Sequence, residues 1–95
     1  MTVGSAKIEV HIPGSGSLKD KRRVVKSLKD RLLARFAVAV AEVDGLDQWQ
    51  RATLGVACVS NDARLVDATL AKVVTWVEGS GDVVVIDVDI ELMTR

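Results

Sequence analysis

The 95-residue sequence holds one cysteine, one proline, one histidine and three aromatic residues, none of them tyrosine. Each scarcity excludes something. Cys58 alone cannot form an internal disulfide and suits a reducing cytosol. His11 alone cannot build a metal site with Cys58 expected on the opposite face of the sheet. No apolar run approaches the ~20 residues that a membrane-crossing helix needs. The opening "MTVGSAKIEV" lacks a charged segment followed by an apolar one, so no signal peptide is expected and the location expected is cytoplasmic. Thirteen Lys and Arg balance thirteen Asp and Glu, so no global field favours nucleic acid. No set of side chains reads as a catalytic constellation. The expectation is therefore no enzyme, no cofactor and no metal.

What is present is enough apolar material, 48% of residues, for the core of a single domain spanning 1–95. At this length the core is thin. "SAKIEVHI" (5–12) alternates, with Ala6, Ile8, Val10 and Ile12 on one face, as a half-buried strand does. Pro13 ends it, "GSGS" turns the chain, and Ser17 caps a helix over 18–36 with Leu18, Val25, Leu28, Leu32 and Phe36 as its buried stripe. "AVAVAEV" (37–43) and "ATLGVACVS" (52–60) are strands separated by a short loop. A second helix follows, capped by Ser60 or Asn61 and ended at Gly79, with Ala63, Val66, Leu70, Val73, Val74 and Val77 inward. In the closing strand, 82–93, Val84, Ile86, Val88, Ile90 and Leu92 share one face, and Val83, Val85, Asp87, Asp89 and Glu91 take the other.

The order βαββαβ predicts an α+β, ferredoxin-like sandwich: an antiparallel four-stranded sheet, order 4-1-3-2, with both helices on one face. On the open face, Lys7 is expected near Asp89 or Glu91, and His11 near Val85 or Asp87. With the third strand taken as parallel to the first, Val59 falls at the His11 end. It then forms an apolar patch with Val83 and Val85, and a homodimer through this patch, or through the free edge of the second strand, is expected.

The first helix carries Lys19, Lys21, Arg22, Arg23, Lys26, Lys29, Arg31 and Arg35 against Asp20 and Asp30, a local charge of eight minus two, or +6. Offsets of three and four place most of these on the solvent face. Such a stripe can grip a phosphate backbone without reading bases, so Lys19, Lys21, Arg22, Arg23, Lys26 and Lys29 are the candidate RNA- or anion-binding residues. The competing reading is a solvated face that balances acids elsewhere. No DNA specificity is expected. No aromatic residue is interleaved with these cations, so base stacking finds no support in the sequence. A phosphate loop at "PGSGSLKDK" also fails, because G-x-G-x-x-G would need glycine where Lys19 stands.

"DGLDQWQRATLGVACVSND" (44–62) starts as a turn and sets Trp49, Gln50 and Arg51 in a row. One reading is structural: Glu42 pairs with Arg51 under cover of Trp49 and closes the hairpin mouth. The other makes Trp49, Gln50 and Arg51 an exposed edge for a partner. His11 and Asp87 invite a catalytic pair, but a polar cross-strand contact accounts for them.

"SLKDKRRVVKSLKDRL", "AEVDGLDQWQRATLGVACVSND" and the acidic-apolar last strand together resemble the YlxP-like family of small bacterial proteins. The resemblance implies a ferredoxin-like fold and a gene setting among translation and ribosome-maturation factors, hence ribosomal RNA or a ribosomal particle as a partner. It implies no catalytic residue. The alternative function is a self-associating structural or regulatory module.

Overall fold

The computed structural model describes residues 1–95. Its elements run β1 (Thr2–His11), α1 (Leu18–Arg35), β2 (Ala39–Asp44), β3 (Arg51–Ser60), α2 (Ala63–Glu78) and β4 (Val84–Thr94). The sheet order is β2-β3-β1-β4 and every neighbouring pair is antiparallel. This is the expected α+β, ferredoxin-like arrangement. One expectation inside it is corrected: β3 runs antiparallel to β1, not parallel. Each helix crossover returns the chain in the direction it came from, and the β2–β3 hairpin reverses it once, so β3 must oppose β1. Val59 therefore pairs with Val3, at the end of the sheet far from His11, which pairs with Arg51.

Ala6, Ile8 and Val10 from β1 with Ile12 just beyond it, Ala52, Leu54 and Val56 from β3, and Val40 from β2 meet Val25, Leu28 and Leu32 of α1 and Val66, Leu70, Val73 and Val77 of α2 in one core. α1 packs on β2, and α2 on β1, β3 and β4. Gly4 lets α2 come close: a Cβ there would overlap Val66 Cγ1 and stand 2.9 Å from Leu70 Cδ1. Ser17 caps α1 as expected, its Oγ accepting from Asp20 N at 3.1 Å, while Asp20 Oδ2 accepts from Gly16 N at 3.3 Å. The Asp20 carboxylate thus takes the Gly16 amide just before the cap, and the Ser17 hydroxyl takes that of Asp20. α2 is capped one residue later than expected, by Asp62, whose Oδ1 accepts from Arg64 N at 2.9 Å.

Two bulges decide which side chains face where. In β4, Glu9 pairs with Asp87 but Val10 pairs with Val85, so Ile86 is an extra residue. The slip turns Val85 toward the core beside buried Val83, and leaves Val84 and Ile86 half exposed. The expected patch of Val59, Val83 and Val85 is thereby dissolved: two members are inside and the third is at the other end. The same slip sets His11 opposite Val84, while Asp87 lies opposite Glu9, so His11 and Asp87 are not cross-strand partners. Lys7 does pair with Asp89 in register. In β2, Glu42 pairs with Leu54 and Asp44 with Thr53, with Val43 extra.

Candidate functional site

Lys21 sits at the spacing of the buried stripe, four residues before Val25 and seven before Leu28, and it is buried as completely as they are. Its ammonium donates to Glu42 Oε2 at 2.7 Å and to the carbonyls of Gly45, Leu46 and Arg51 at 2.6, 3.2 and 3.3 Å. A cation near the positive end of a helix, out of water, needs such compensation. Three N–H donors meeting four acceptors supply it. The Glu42 side chain is itself only 13% exposed. Lys21 is therefore not an anion-binding residue, and that assignment is corrected: it clamps the hairpin between β2 and β3 to the first turns of α1.

The clamp also replaces the expected Glu42–Arg51 pair. Strand parity is the reason. Glu42 shares the core side with its partner Leu54, whereas Arg51 projects from the open face with Thr53 and Gly55. There it pairs with Glu9 of β1. Only the Arg51 carbonyl reaches the clamp. Gly45, at φ +72°, makes the turn that brings two neighbouring carbonyls toward Lys21. Gln48 N donates to Gly45 O at 3.0 Å, Gln50 Nε2 to Ser15 O at 3.1 Å, and Ile12 N to Gln50 O at 2.8 Å. The loop is held on several sides, yet Trp49 covers no closed mouth: it is 56% exposed, as is Leu46 at 61%.

Of the remaining cations, Lys19, Arg22, Arg23, Lys26 and Lys29 lie exposed along one side of α1. Lys26 Nζ donates to Asp30 Oδ2 at 2.8 Å, and this bond holds its ammonium above the ordinary lysine range, so it stays charged at any physiological pH. Arg31 and Arg35 leave the stripe. Their guanidinium carbons lie 5.3 and 5.1 Å from the centre of the Trp76 ring on α2, and Arg31 also pairs with Asp82. Five exposed cations less Asp20 and Asp30 leave +3 on this face, half the value counted from sequence.

Lys21 was legible in principle. The expected stripe jumps from Leu18 to Val25, and a helix with a continuous buried face needs a residue near 21 or 22 to fill that turn. Sorting lysine outward by type hides it.

The family of proteins of unknown function called DUF503 matches residues 3–90 of the chain. "Uncharacterized protein YlxP" of Bacillus subtilis (strain 168) is 34% identical over 76 residues, covering 80% of this chain and 83% of that protein. The match at residues 3–90 contains both of the sequence blocks that carry the resemblance. This chain belongs to the DUF503 family.

Proposed function

We propose that this protein is a non-enzymatic cytoplasmic domain that contacts ribosomal RNA or a ribosomal particle through the outer side of α1. The observation that carries the reading is the exposed row Lys19, Arg22, Arg23, Lys26 and Lys29, which spans eleven residues, or about 15 Å of helix. Five like charges in that length weaken a helix on their own account, and a polyanion reverses the sign of that cost. The free thiol of Cys58 accords with a reducing compartment. The ribosomal partner is what the YlxP-like resemblance implies.

Cosedimentation with ribosomal subunits over a salt series tests it. Five phosphate contacts give a slope of log affinity on log salt of about −4. Changing Arg22, Arg23 and Lys26 together to Glu should abolish binding. Salt-independent binding, or a triple variant that binds like the wild type, refutes the reading.

One observation favours self-association as a second reading. Where β2 begins, Val3, Leu33, Phe36, Val38, Cys58 and Val59 line a groove without a polar side chain. A two-fold dimer could close it. Sedimentation equilibrium at micromolar concentration should then give twice 10.2 kDa, falling to the monomer in Val59→Glu. A wild-type monomer rejects it.

A further inference from the structure

We infer that Trp49 and the outer side of α1 form one composite surface for RNA that carries an unpaired base beside a paired stem. The cations hold the stem's phosphates and the indole stacks on the base. The inference rests on the α1 reading above and adds the class of RNA to it.

Sequence separates Trp49 from the nearest of these cations by twenty residues. The fold brings the loop that bears Trp49 to the N-terminal end of α1. Gln50, the next residue, holds Ser15 through its side chain and Ile12 through its carbonyl, and Ser15 stands two residues before the α1 cap. On the other side, Gly45 and Leu46 hang from the ammonium of Lys21, in the first turns of α1. The loop that bears Trp49 is thus tied to the chain entering α1 and, through Lys21, to the inward side of its first turn, at the end where Lys19, Arg22 and Arg23 begin the cationic row on the outer side. Trp49 therefore belongs to the loop at the N-terminal end of the helix that bears the row, and it supplies the aromatic ring whose absence from the local sequence argued against stacking.

The ring's state fits the role. Phe36 and Trp76 are partly buried and pack against the core, whereas Trp49 is more than half exposed. Gln48 and Gln50 on either side of it are already bonded, so little ordering of the loop remains to be done on binding. Stacking on an exposed indole does not depend on base identity, because every base offers a π-face. Duplex alone would meet the cations and leave the ring idle. A loop or bulge next to a stem engages both.

Two RNAs test this: a stem–loop with an unpaired loop, and a blunt duplex of the same stem. Affinities come from anisotropy of labelled RNA at fixed salt. Trp49 emission is followed in a Trp76→Phe background, which keeps a ring beside Arg31 and Arg35. The wild type should prefer the stem–loop. Trp49→Ala should weaken stem–loop binding about five-fold or more and leave duplex binding within about two-fold. Trp49→Phe should restore most of the loss, and only the stem–loop should quench Trp49. Charge reversal at Arg22, Arg23 and Lys26 should remove binding to both RNAs. If Trp49→Ala binds the stem–loop as the wild type does while the charge reversal still fails, stacking is overturned, the α1 reading stands, and the exposed loop belongs to a protein contact. If the wild type binds neither RNA, both readings fall.

Discussion

Replacing Lys21 by methionine keeps most of the length of the side chain and removes its charge. Glu42 is then left 13% exposed with no ion-pair partner, and the carbonyls of Gly45, Leu46 and Arg51 lose a donor. The gross attraction in the pair, 332/(20 × 2.7), is about 6 kcal/mol at an effective dielectric of 20. Desolvation of two ions cancels much of it, so the intact pair contributes little net stability, but removing one partner costs about 3–5 kcal/mol. A domain of this size is stable by only about 5–14 kcal/mol. In urea, with a slope near 1.5 kcal/mol/M, the midpoint should fall by about 2–3 M in far-UV circular dichroism. Adding Glu42→Leu removes the orphaned charge but not the unmet carbonyls. The double variant should therefore recover about 1–3 kcal/mol and stay below the wild type. Lys29→Met, on the exposed side, should change stability by less than about 0.5 kcal/mol. A Lys21→Met protein within about 1 kcal/mol of the wild type, or a double variant no better than the single, would show that the clamp does not hold the hairpin.

Two glycines should answer differently to alanine. Gly4→Ala drives a methyl into Val66 and Leu70, both fixed in the core, and should lower stability by about 1–3 kcal/mol in the same urea assay. Gly55→Ala meets Val43 Cγ1 at 2.7 Å, but Val43 is half exposed and can swing away, so its change should stay within about 1 kcal/mol; equal costs would contradict this packing. Burial pushes the Cys58 thiol above its ordinary range, and its Sγ–H points to Val66 O at 3.9 Å. Alkylation at pH 8 should be slower in the folded protein than in denaturant, and its pH midpoint should drop on unfolding; matching midpoints would refute the burial effect. Trp76→Leu removes the ring that Arg31 and Arg35 flank and should cost about 1–2 kcal/mol by thermal melt. If Trp76→Leu costs as much in an Arg31→Ala, Arg35→Ala background as in the wild type, the guanidinium contacts contribute nothing.

Element order, sheet order and most of the core were legible because they depend on apolar period alone. Ile8, Val10, Leu28 and Val73 each fall where a period of 2 or 3.6 puts them. What escaped was set by one-residue events. No residue type marks the bulges at Val43 and Ile86, yet each slip exchanges the two faces beyond it, which is how Val83 and Val85 came to be assigned to solvent. The Glu42–Arg51 pair failed on the same ground, since a short distance along a hairpin says nothing of which face a side chain leaves from. Of the basic candidates, five lie on the exposed side of α1. Lys21 does not, because its residue type pointed outward and its helical position pointed inward. Trp49 was noticed, but its exposure and its place at the head of α1 depend on tertiary bonds that join residues 12–21 to residues 42–51.

The placement of α1 over β2, with Asp87, Asp89 and Glu91 on β4 at the opposite margin of the sheet, makes a molecule that is neutral and strongly polarised. Roughly three unit charges at each margin, separated by three strand spacings or about 14 Å, give a dipole moment on the order of 200 debye. A neutral body of this kind feels no net pull in a uniform field but experiences a torque. Near a polyanion it would turn its helical side inward before touching, and its acidic margin outward toward the solvent. Orientation of this kind fades once the charges are screened over about 8–10 Å, so it is a property of ordinary ionic strength and below. The same asymmetry lets a protein of pI near 6.6 adhere to cation and anion exchangers alike at neutral pH, each by a different margin of the sheet.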